Sequence, residues 1–209
     1  MLGTQDLLLF VVSGLLLNVT PGPDTLYIVG RASTQGLKAG VVAALGIGAG
    51  TLVHITAAAL GVSALIAASA TAFTVLKLVG AAYLVYVGIS LMRARRDAGA
   101  ADLPLARASM RTVFFQGFWT NVLNPKVALF FLAFLPQFVD PQAPAKAATL
   151  FFLGFLFNLN GTLWNLFVAW SSARLGGALL RNSAAMRWFD RCVGALFVYL
   201  GVRLAFSRQ

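Results

Sequence analysis

Six apolar segments, each about as long as one membrane crossing, follow one another along this chain. They cover residues 7–29, 39–68, 73–92, 113–138, 147–170 and 188–206. A helix needs about 20 apolar residues to cross the hydrocarbon core of a bilayer. Of the 209 residues, 59% are hydrophobic and 11% are charged, which leaves too little polar surface for a water-soluble globule. No segment has the alternation of a barrel strand, and a helix satisfies its own backbone in lipid. The sequence therefore predicts an all-α membrane protein with six transmembrane helices in one domain, residues 1–209.

The positive charge of the chain is concentrated in alternate loops. The formal net charge is +10, from 16 Lys and Arg against 6 acidic residues. In a soluble chain this excess would suggest nucleic acid as a partner, whereas in a membrane protein it marks the cytoplasmic loops. The basic residues of the first, third and fifth loops are Arg31, Lys38, Arg93, Arg95, Arg96, Arg107, Arg111, Arg174, Arg181, Arg187 and Arg191. The second loop has none and the fourth has Lys146. We therefore expect loops one, three and five in the cytoplasm, both termini outside, and no nucleic-acid partner.

The two halves of the chain are similar to each other. A basic linker at residues 93–112 separates a first repeat, about residues 5–92, from a second, about residues 113–209. The matching stretches are residues 77–91 with 191–204, allowing one gap, and residues 21–24 with 123–126. Since each repeat has three spans, the second enters the membrane from the opposite side. The sequence thus predicts two inverted three-helix repeats, as in many secondary transporters.

A helix break is predicted inside the first span, at Pro21, Gly22 and Pro23. The two prolines lack backbone donors, so the carbonyls of Leu17 and Val19 lose their helical partners. Broken backbone is tolerated at membrane depth only where it lines a cavity or is covered by protein. The break therefore indicates a binding site, with a simple proline kink as the alternative.

A second break is predicted in the fourth span, where Asn124 precedes Pro125. Asn is a favoured N-cap and Pro suits the first position of a helix, so a helix should restart here. Asp24 and Lys126 then fall in the first turns of the two restarted helices. They form either a structural ion pair or a zwitterion site, in which Asp24 receives an ammonium group and Lys126 a carboxylate. The sequence leaves both alternatives open.

Polar residues on one face of the fifth span are the third part of the candidate site. Asn158, Thr162 and Asn165 recur at spacings of four and three, which puts them on one helical face. They either hold helices together or supply uncharged hydrogen bonds to a substrate. The full predicted substrate-binding set is Asp24, Lys126, Asn18, Thr20, Asn121, Asn124, Asn158, Thr162 and Asn165.

Proton coupling is assigned to Asp24, because protonation of its carboxylate would remove the charge that holds an ammonium group. His54, in the middle of the second span, is a second candidate, although a hydrogen-bonded interior histidine is an equally good interpretation. Asp190 is expected at the surface, near the cytoplasmic end of the last span. A single acidic residue at the site suits a neutral amino acid better than one with a cationic side chain.

Small residues in the second span have the spacing for close helix packing. They are Gly36, Gly40, Ala44 and Gly48 at a spacing of four, together with Gly46 and Gly50. We predict that they serve packing, and sliding of the helices during alternating access is left open as an additional role.

These motifs resemble those of the LysE/RhtB family of bacterial amino-acid exporters. The similarity lies in Asn-x-Thr-Pro-Gly-Pro-Asp at 18–24, the basic linker, and Gly-Phe-Trp-Thr-Asn-Val-Leu-Asn-Pro-Lys-Val-Ala-Leu-Phe-Phe at 117–131, and it covers nearly the whole chain. It implies a multi-pass carrier of the bacterial inner membrane that exports amino acids and is driven by the proton gradient. With one acid at the site, we expect export of neutral amino acids such as threonine, homoserine or leucine by proton antiport and alternating access. Such a carrier is not an enzyme and needs no cofactor or metal. Its partners are the substrate, protons and the lipid bilayer, and homo-oligomer formation stays open.

Two other functions compete with this one. A divalent-metal exporter of related architecture would need a cluster of oxygen or sulfur ligands, whereas the chain offers one mid-membrane Asp, no Glu, a lone His54 and a lone Cys192. An intramembrane enzyme such as a phosphatase is less favoured. It would need a nucleophile with a base in reach and several basic groups around the phosphate, and His54 with Ser63 does not supply these. A static channel does not require paired helix breaks.

Overall fold

The computed structural model of the protein describes residues 3–62, 64, 68–93, 106–140, 142–175 and 183–206. Within these residues the regular structure is helical, apart from one β-bridge between Thr4 and Val139. The α-helices are α1 (Leu7–Val19), α2 (Pro23–Gln35), α3 (Leu37–Ala57), α4 (Ala70–Arg93), α5 (Met110–Val122), α6 (Pro125–Leu129), α7 (Lys146–Leu175) and α8 (Ser183–Phe206). A π-helical turn, Ala58–Val62, extends α3, while a π-helical turn, Phe130–Phe134, and a 3-10 turn, Leu135–Phe138, extend α6. The predicted all-α class is confirmed for this part of the chain.

Two to four of these helical segments are long and apolar enough to cross a membrane. Leu37–Val62 and Lys146–Arg174 qualify alone. Two further segments qualify if each bent pair counts as one span: α1 with α2, bent by 51°, and α5 with the helical turns of Pro125–Phe138, bent by 48°. Each of the six predicted apolar segments contains helix, but the count of six crossings stays a prediction.

The first predicted loop is wrong. We expected the first span to end at residue 29, with Arg31 in the loop, but α2 continues to Gln35 and only Gly36 separates it from α3. Gly36 has a φ of 84°, a conformation that favours glycine, and its N–H donates to the carbonyl of Ala32 to close α2. Arg31 therefore lies in a helix and is only 4% exposed. Most of the other two basic loops, residues 94–105 and 176–182, lies outside the described residues, so the membrane orientation stays a prediction.

Helices α3 and α5 approach each other closely along the predicted small-residue face. A Cβ atom on Gly50 would lie 2.7 Å from the carbonyl oxygen of Phe118, and one on Gly46 would collide with the carbonyl of Phe114. Only glycine allows the backbones to come this near. The predicted packing role of Gly46 and Gly50 is confirmed. Their close contacts position α5, which ends at the second break, against α3.

The start of the chain and the end of α8 lie at the same end of the bundle. Arg203 Nη2 donates to Asp6 Oδ2 at 2.9 Å, and both side chains are about half exposed. The backbone N–H of Gln5 donates to the carbonyl of Phe138, also at 2.9 Å. The first residues before α1, the 3-10 turn after α6 and the last turns of α8 therefore share one face.

A buried aromatic cluster fills the interior beside the second break. The ring of Phe130 lies 4.7 Å from that of Phe134 and 4.7 Å from that of Phe157, and Phe10 packs 5.2 Å from Phe138. These rings come from three parts of the chain, namely α1, α7 and the helical turns that follow α6. Stacked and edge-on aromatic contacts at such distances add to the burial of apolar surface. They fix the helix that restarts at Pro125 against α1 and α7.

Candidate functional site

Both predicted helix breaks are present, and they meet. Helix α1 ends at Val19 and α2 begins at Pro23, while α5 ends at Val122 and α6 begins at Pro125. Between them lies a cavity of about 50 Å³, enough for only a few water molecules. Its walls contain every residue of the predicted substrate-binding set: Asn18, Thr20, Asp24, Asn121, Asn124, Lys126, Asn158, Thr162 and Asn165. The sequence thus identified the polar residues that the fold brings together, whatever ligand they hold.

Asp24 lies in the first turn of α2 and is held by two amides from the other half of the chain. Asn121 Nδ2 donates to Asp24 Oδ2 at 2.7 Å, and Asn124 Nδ2 donates to Asp24 Oδ1 at 3.2 Å. The positive end of the α2 dipole also favours a negative charge here. The N-terminus of α2 is thereby tied to the second break.

Lys126 makes the reverse connection, from the second break to the first. Its Nζ donates to the carbonyl of Thr20 at 3.2 Å and to that of Leu17 at 3.4 Å, at the C-terminal end of α1. One of these, Leu17, is a carbonyl that the prolines were predicted to release. A cation at the C-terminal end of a helix is favoured by the helix dipole. The lysine therefore compensates the backbone that the first break exposes.

The described contacts of Asp24 and Lys126 lead to opposite breaks. The carboxylate of Asp24 accepts from Asn121 and Asn124, and Nζ of Lys126 donates to the carbonyls of Thr20 and Leu17. The choice between a structural ion pair and a zwitterion site stays a prediction. Each charge thus reaches the broken helix of the opposite half, so that the two breaks are connected reciprocally.

The restarted helix α6 has the cap that the sequence predicted. Asn124 Oδ1 accepts a hydrogen bond from the backbone N–H of Lys126 at 3.0 Å, with Pro125 at the first helical position. Because its amide nitrogen donates to Asp24, the Asn124 side chain uses both ends. It links the start of α6 to the start of α2.

His54 contacts the backbone of Asn121 and is not among the residues that line the cavity. Its Nε2 lies 3.0 Å from the backbone carbonyl oxygen of Asn121, and its ring stacks on Phe131 with centroids 6.1 Å apart. Thr51 Oγ1 donates to the carbonyl of Ile47 and lies 3.3 Å from Asn121 Oδ1. The hydrogen bond agrees with an interior histidine, and a role of His54 in proton coupling stays a prediction. Ser63, its partner in the enzyme alternative, lies outside the described residues.

Sequence reasoning missed Thr51, which lines the cavity and contacts the amide that holds Asp24. The available signal was its position three residues before His54, which puts both polar side chains on one face of an otherwise apolar helix. Asn18, unlike Thr51, was predicted as a site residue. Its Nδ2 is buried beside the cavity without a hydrogen-bond partner in the described structure. A buried amide donor without an acceptor is costly, so this nitrogen is suited to a polar ligand.

The expectation for Asp190 is wrong. We expected this residue at the surface, but it lies in α8 with 2% of its area exposed. Its position on the inner face of α8 was hidden by the arginines that flank it in the sequence. Asp190 does not line the cavity, where Asp24 is the acidic residue among the described walls. A single acidic residue, which suits a neutral substrate, is therefore a property of the described cavity walls and not of the whole buried interior.

Two interrupted helices that meet at a polar cavity, within an apolar helical chain, are typical of membrane transport proteins. Residues 15–208 match the family model described as LysE type translocator, and the chain belongs to this family. The resemblance read from the motifs is confirmed, and the family is one of membrane transporters and not of enzymes.

Several relatives match over nearly their whole length. An uncharacterized membrane protein of Pseudomonas aeruginosa is 31% identical over 98% of this chain and 96% of its own. An uncharacterized membrane protein of Bacillus subtilis is 29% identical over 97% of this chain and 100% of its own. A protein of Salmonella typhimurium named homoserine/homoserine lactone efflux protein is 30% identical over 96% of each chain. No solved structure matches the chain.

Proposed function

We propose that the protein is a secondary transporter that exports neutral amino acids from the cytoplasm, such as threonine, homoserine or leucine, or close derivatives. The observation that carries the proposal is the reciprocal connection of the two breaks through Asp24 and Lys126. These are the charges that a zwitterion would engage, and each is held by groups that a ligand can replace. An ammonium group would take the place of the amide donors at Asp24, and a carboxylate would take the place of the carbonyls at Lys126.

The remaining walls of the cavity support a substrate without a charged side chain. They present the amides of Asn18, Asn158 and Asn165 and the hydroxyl of Thr162. These groups can hydrogen-bond a hydroxyl or carbonyl but do not balance an additional charge. A relative with 30% identity is named a homoserine/homoserine lactone efflux protein, which agrees with a small polar side chain.

Asp24 is also the proposed proton carrier. A carboxylate that binds the ammonium group of a substrate releases it when protonated, so substrate and proton would alternate at one group. Exchange of an outward-moving amino acid for an inward-moving proton follows. The cavity of about 50 Å³ is too small for an amino acid, so the proposed cycle includes separation of the two breaks, which is the step that alternating access requires.

The proposed architecture is six transmembrane helices in two inverted repeats. Helices α4 and α8, which the sequence match relates, run antiparallel: Gly88 faces Gly194, while Ala81 faces Gly201. Antiparallel packing of equivalent helices is what inversion of the second repeat requires. An even number of crossings is supported by the start of the chain and the end of α8, which share one face. We assign that face to the outside of the bacterial inner membrane.

Transport into inverted membrane vesicles tests this function. Vesicles with an acidic lumen are given labelled homoserine, threonine, leucine or lysine, and vesicles without the protein are the control. We expect the neutral amino acids to accumulate, lysine to be excluded, and a protonophore to abolish the accumulation. Accumulation of none of the four would refute the proposed function, and selective accumulation of lysine would refute the argument from the uncharged walls.

A further inference from the structure

A second cavity lies apart from the polar site, on the outer surface of the bundle between α2 and α5. Its volume is about 710 Å³ and it is open to the surroundings. Its lining residues are Tyr27, Arg31, Arg111, Thr112, Phe115, Gln116, Trp119, Thr120 and Leu123. No acidic residue is among them. We refer to this cavity, defined by these residues, as the α2–α5 cleft.

Arg31 lines the α2–α5 cleft, and its described hydrogen-bond partners are all uncharged. Its Nε donates to Tyr27 Oη, Nη1 donates to Gln35 Oε1 and to the carbonyl of Ala106, and Nη2 donates to Gln116 Oε1 at 2.6 Å. All of these acceptors are neutral, and the described structure has no carboxylate in ion-pair contact with Arg31. One N–H of Nη2 is left without a described acceptor.

This arrangement is unusual for a side chain that is only 4% exposed. A buried charge is normally balanced by an opposite charge, because neutral hydrogen bonds recover only part of its lost hydration. The face of the Tyr27 ring, 5.5 Å from the guanidinium carbon, supplies a small further compensation. A buried cation with no described carboxylate beside it favours an anion in the cleft.

The rest of the α2–α5 cleft is amphipathic. Arg111, near the start of α5, is exposed and adds a second cation beside the hydroxyl of Thr112. Further along α5 the cleft is lined by Phe115, Trp119 and Leu123, which are 48%, 54% and 74% exposed. With a rise of 1.5 Å per residue, Arg111 and Leu123 are about 18 Å apart along the helix. The cleft thus joins a cationic end to a long, exposed apolar floor.

We propose that the α2–α5 cleft binds an anionic phospholipid. Its phosphate lies between Arg31, Arg111 and Thr112, and one acyl chain runs along Phe115 and Trp119 toward Leu123. Basic pockets between transmembrane helices are suited to anionic head groups. The lipid would supply a negative charge beside Arg31, where the described residues place none. Since the floor ends beside the second break, a bound lipid would also contact the helix that carries Asn121.

Two variants and a matched control test the proposal. Gln116→Glu keeps the acceptor for Arg31 and Tyr27, since both donate to Gln116 Oε1, but it introduces the missing negative charge. Arg111→Gln removes the exposed cation. Arg174→Gln removes an exposed arginine at the end of α7, outside the cleft, and is the control. Delipidated full-length protein in neutral detergent is titrated with phosphatidylglycerol, phosphatidylcholine or inorganic phosphate, and bound molecules are measured by native mass spectrometry.

Phosphatidylglycerol is expected to bind the unaltered protein more tightly than phosphatidylcholine. Arg111→Gln should weaken this binding about fivefold, the effect of one basic residue near a lipid surface. Gln116→Glu should weaken it at least as much, and Arg174→Gln should leave it unchanged. Equal binding of the two lipids, or equal losses in Arg111→Gln and Arg174→Gln, would overturn the proposal. Displacement of the lipid by millimolar inorganic phosphate would indicate a free-anion site, and a stable dimer that excludes lipid would indicate a second copy in the cleft. Either result would also overturn it.

Discussion

Asn124 has two roles that mutation can separate. Its Oδ1 caps α6 by accepting from the N–H of Lys126 at 3.0 Å, and its Nδ2 donates to Asp24 Oδ1 at 3.2 Å. Asn124→Ser retains an oxygen that can cap the helix but has no amide to reach the carboxylate. Asn124→Ala removes both contacts. The cap at the start of α5, where Ser109 Oγ accepts from the N–H of Thr112 at 3.1 Å, provides a control that has no charged partner.

The sizes of these effects follow from the contacts. Loss of an N-cap side chain costs about 1 kcal/mol, whereas loss of a hydrogen bond to a charged group costs about 1.5–3 kcal/mol. The bond to Asp24 is at the long end of the normal range, so we expect about 1.5–2 kcal/mol for Asn124→Ser. Asn124→Ala should then cost about 2.5–3 kcal/mol, and Ser109→Ala about 1 kcal/mol.

The assay is reversible unfolding of the purified protein in detergent micelles, followed by far-ultraviolet circular dichroism. A double-mutant cycle with Asp24→Asn isolates the bond, because the amide of Asn124 no longer meets a charge in that background. We expect a coupling free energy of about 1.5 kcal/mol between Asn124→Ser and Asp24→Asn. A coupling below about 0.5 kcal/mol, or equal costs for Asn124→Ser and Ser109→Ala, would refute the claim that Asn124 holds the carboxylate.

Two further predictions concern packing and the exposed ion pair. Gly50→Ala should destabilise the protein by about 1–3 kcal/mol, because the added methyl group meets the carbonyl of Phe118. Gly61→Ala should not destabilise it, because no described atom lies within 4 Å of the added methyl group. Denaturant unfolding of both variants distinguishes the sites, and equal losses would contradict the close approach of α3 and α5. Arg203→Gln should cost less than about 1 kcal/mol, because its pair with Asp6 is half exposed, and the difference should shrink in high salt. A loss that is larger and independent of salt would show that this pair is not a simple surface contact.

Local chemistry made the helix breaks and the polar face predictable. Proline lacks a donor wherever it stands, and Asn before Pro is an N-cap signal that needs no tertiary information. The spacing of Asn158, Thr162 and Asn165 fixes one helical face in the same way. These local rules were sufficient to name most of the polar side chains in the cavity walls, although Thr51 was missed.

The connections between the halves were not predictable, because they depend on the three-dimensional approach of distant segments. Lys126 bonds to carbonyls more than a hundred positions earlier in the sequence, and Asp24 bonds to amides almost as far away. Arg31 was placed in a loop because hydropathy falls at that point. In the structure it is buried, and its Nη2 donates to the uncharged Gln116 on α5. Asp190 was misjudged for a similar reason, since charged neighbours in sequence need not share its side of the helix.

In the proposed mechanism the carboxylate of Asp24 binds the ammonium group of the substrate and carries the coupling proton. The most direct test is proton-driven uptake of labelled homoserine into inverted vesicles that contain Asp24→Asn, with Asp6→Asn, an exposed aspartate outside the cavity, as the matched control. With equal amounts of each protein in the membrane, we expect Asp24→Asn to lose uptake and Asp6→Asn to retain the rate of the unaltered protein. Uptake by Asp24→Asn at the unaltered rate, still abolished by a protonophore, would contradict the proposed role of Asp24.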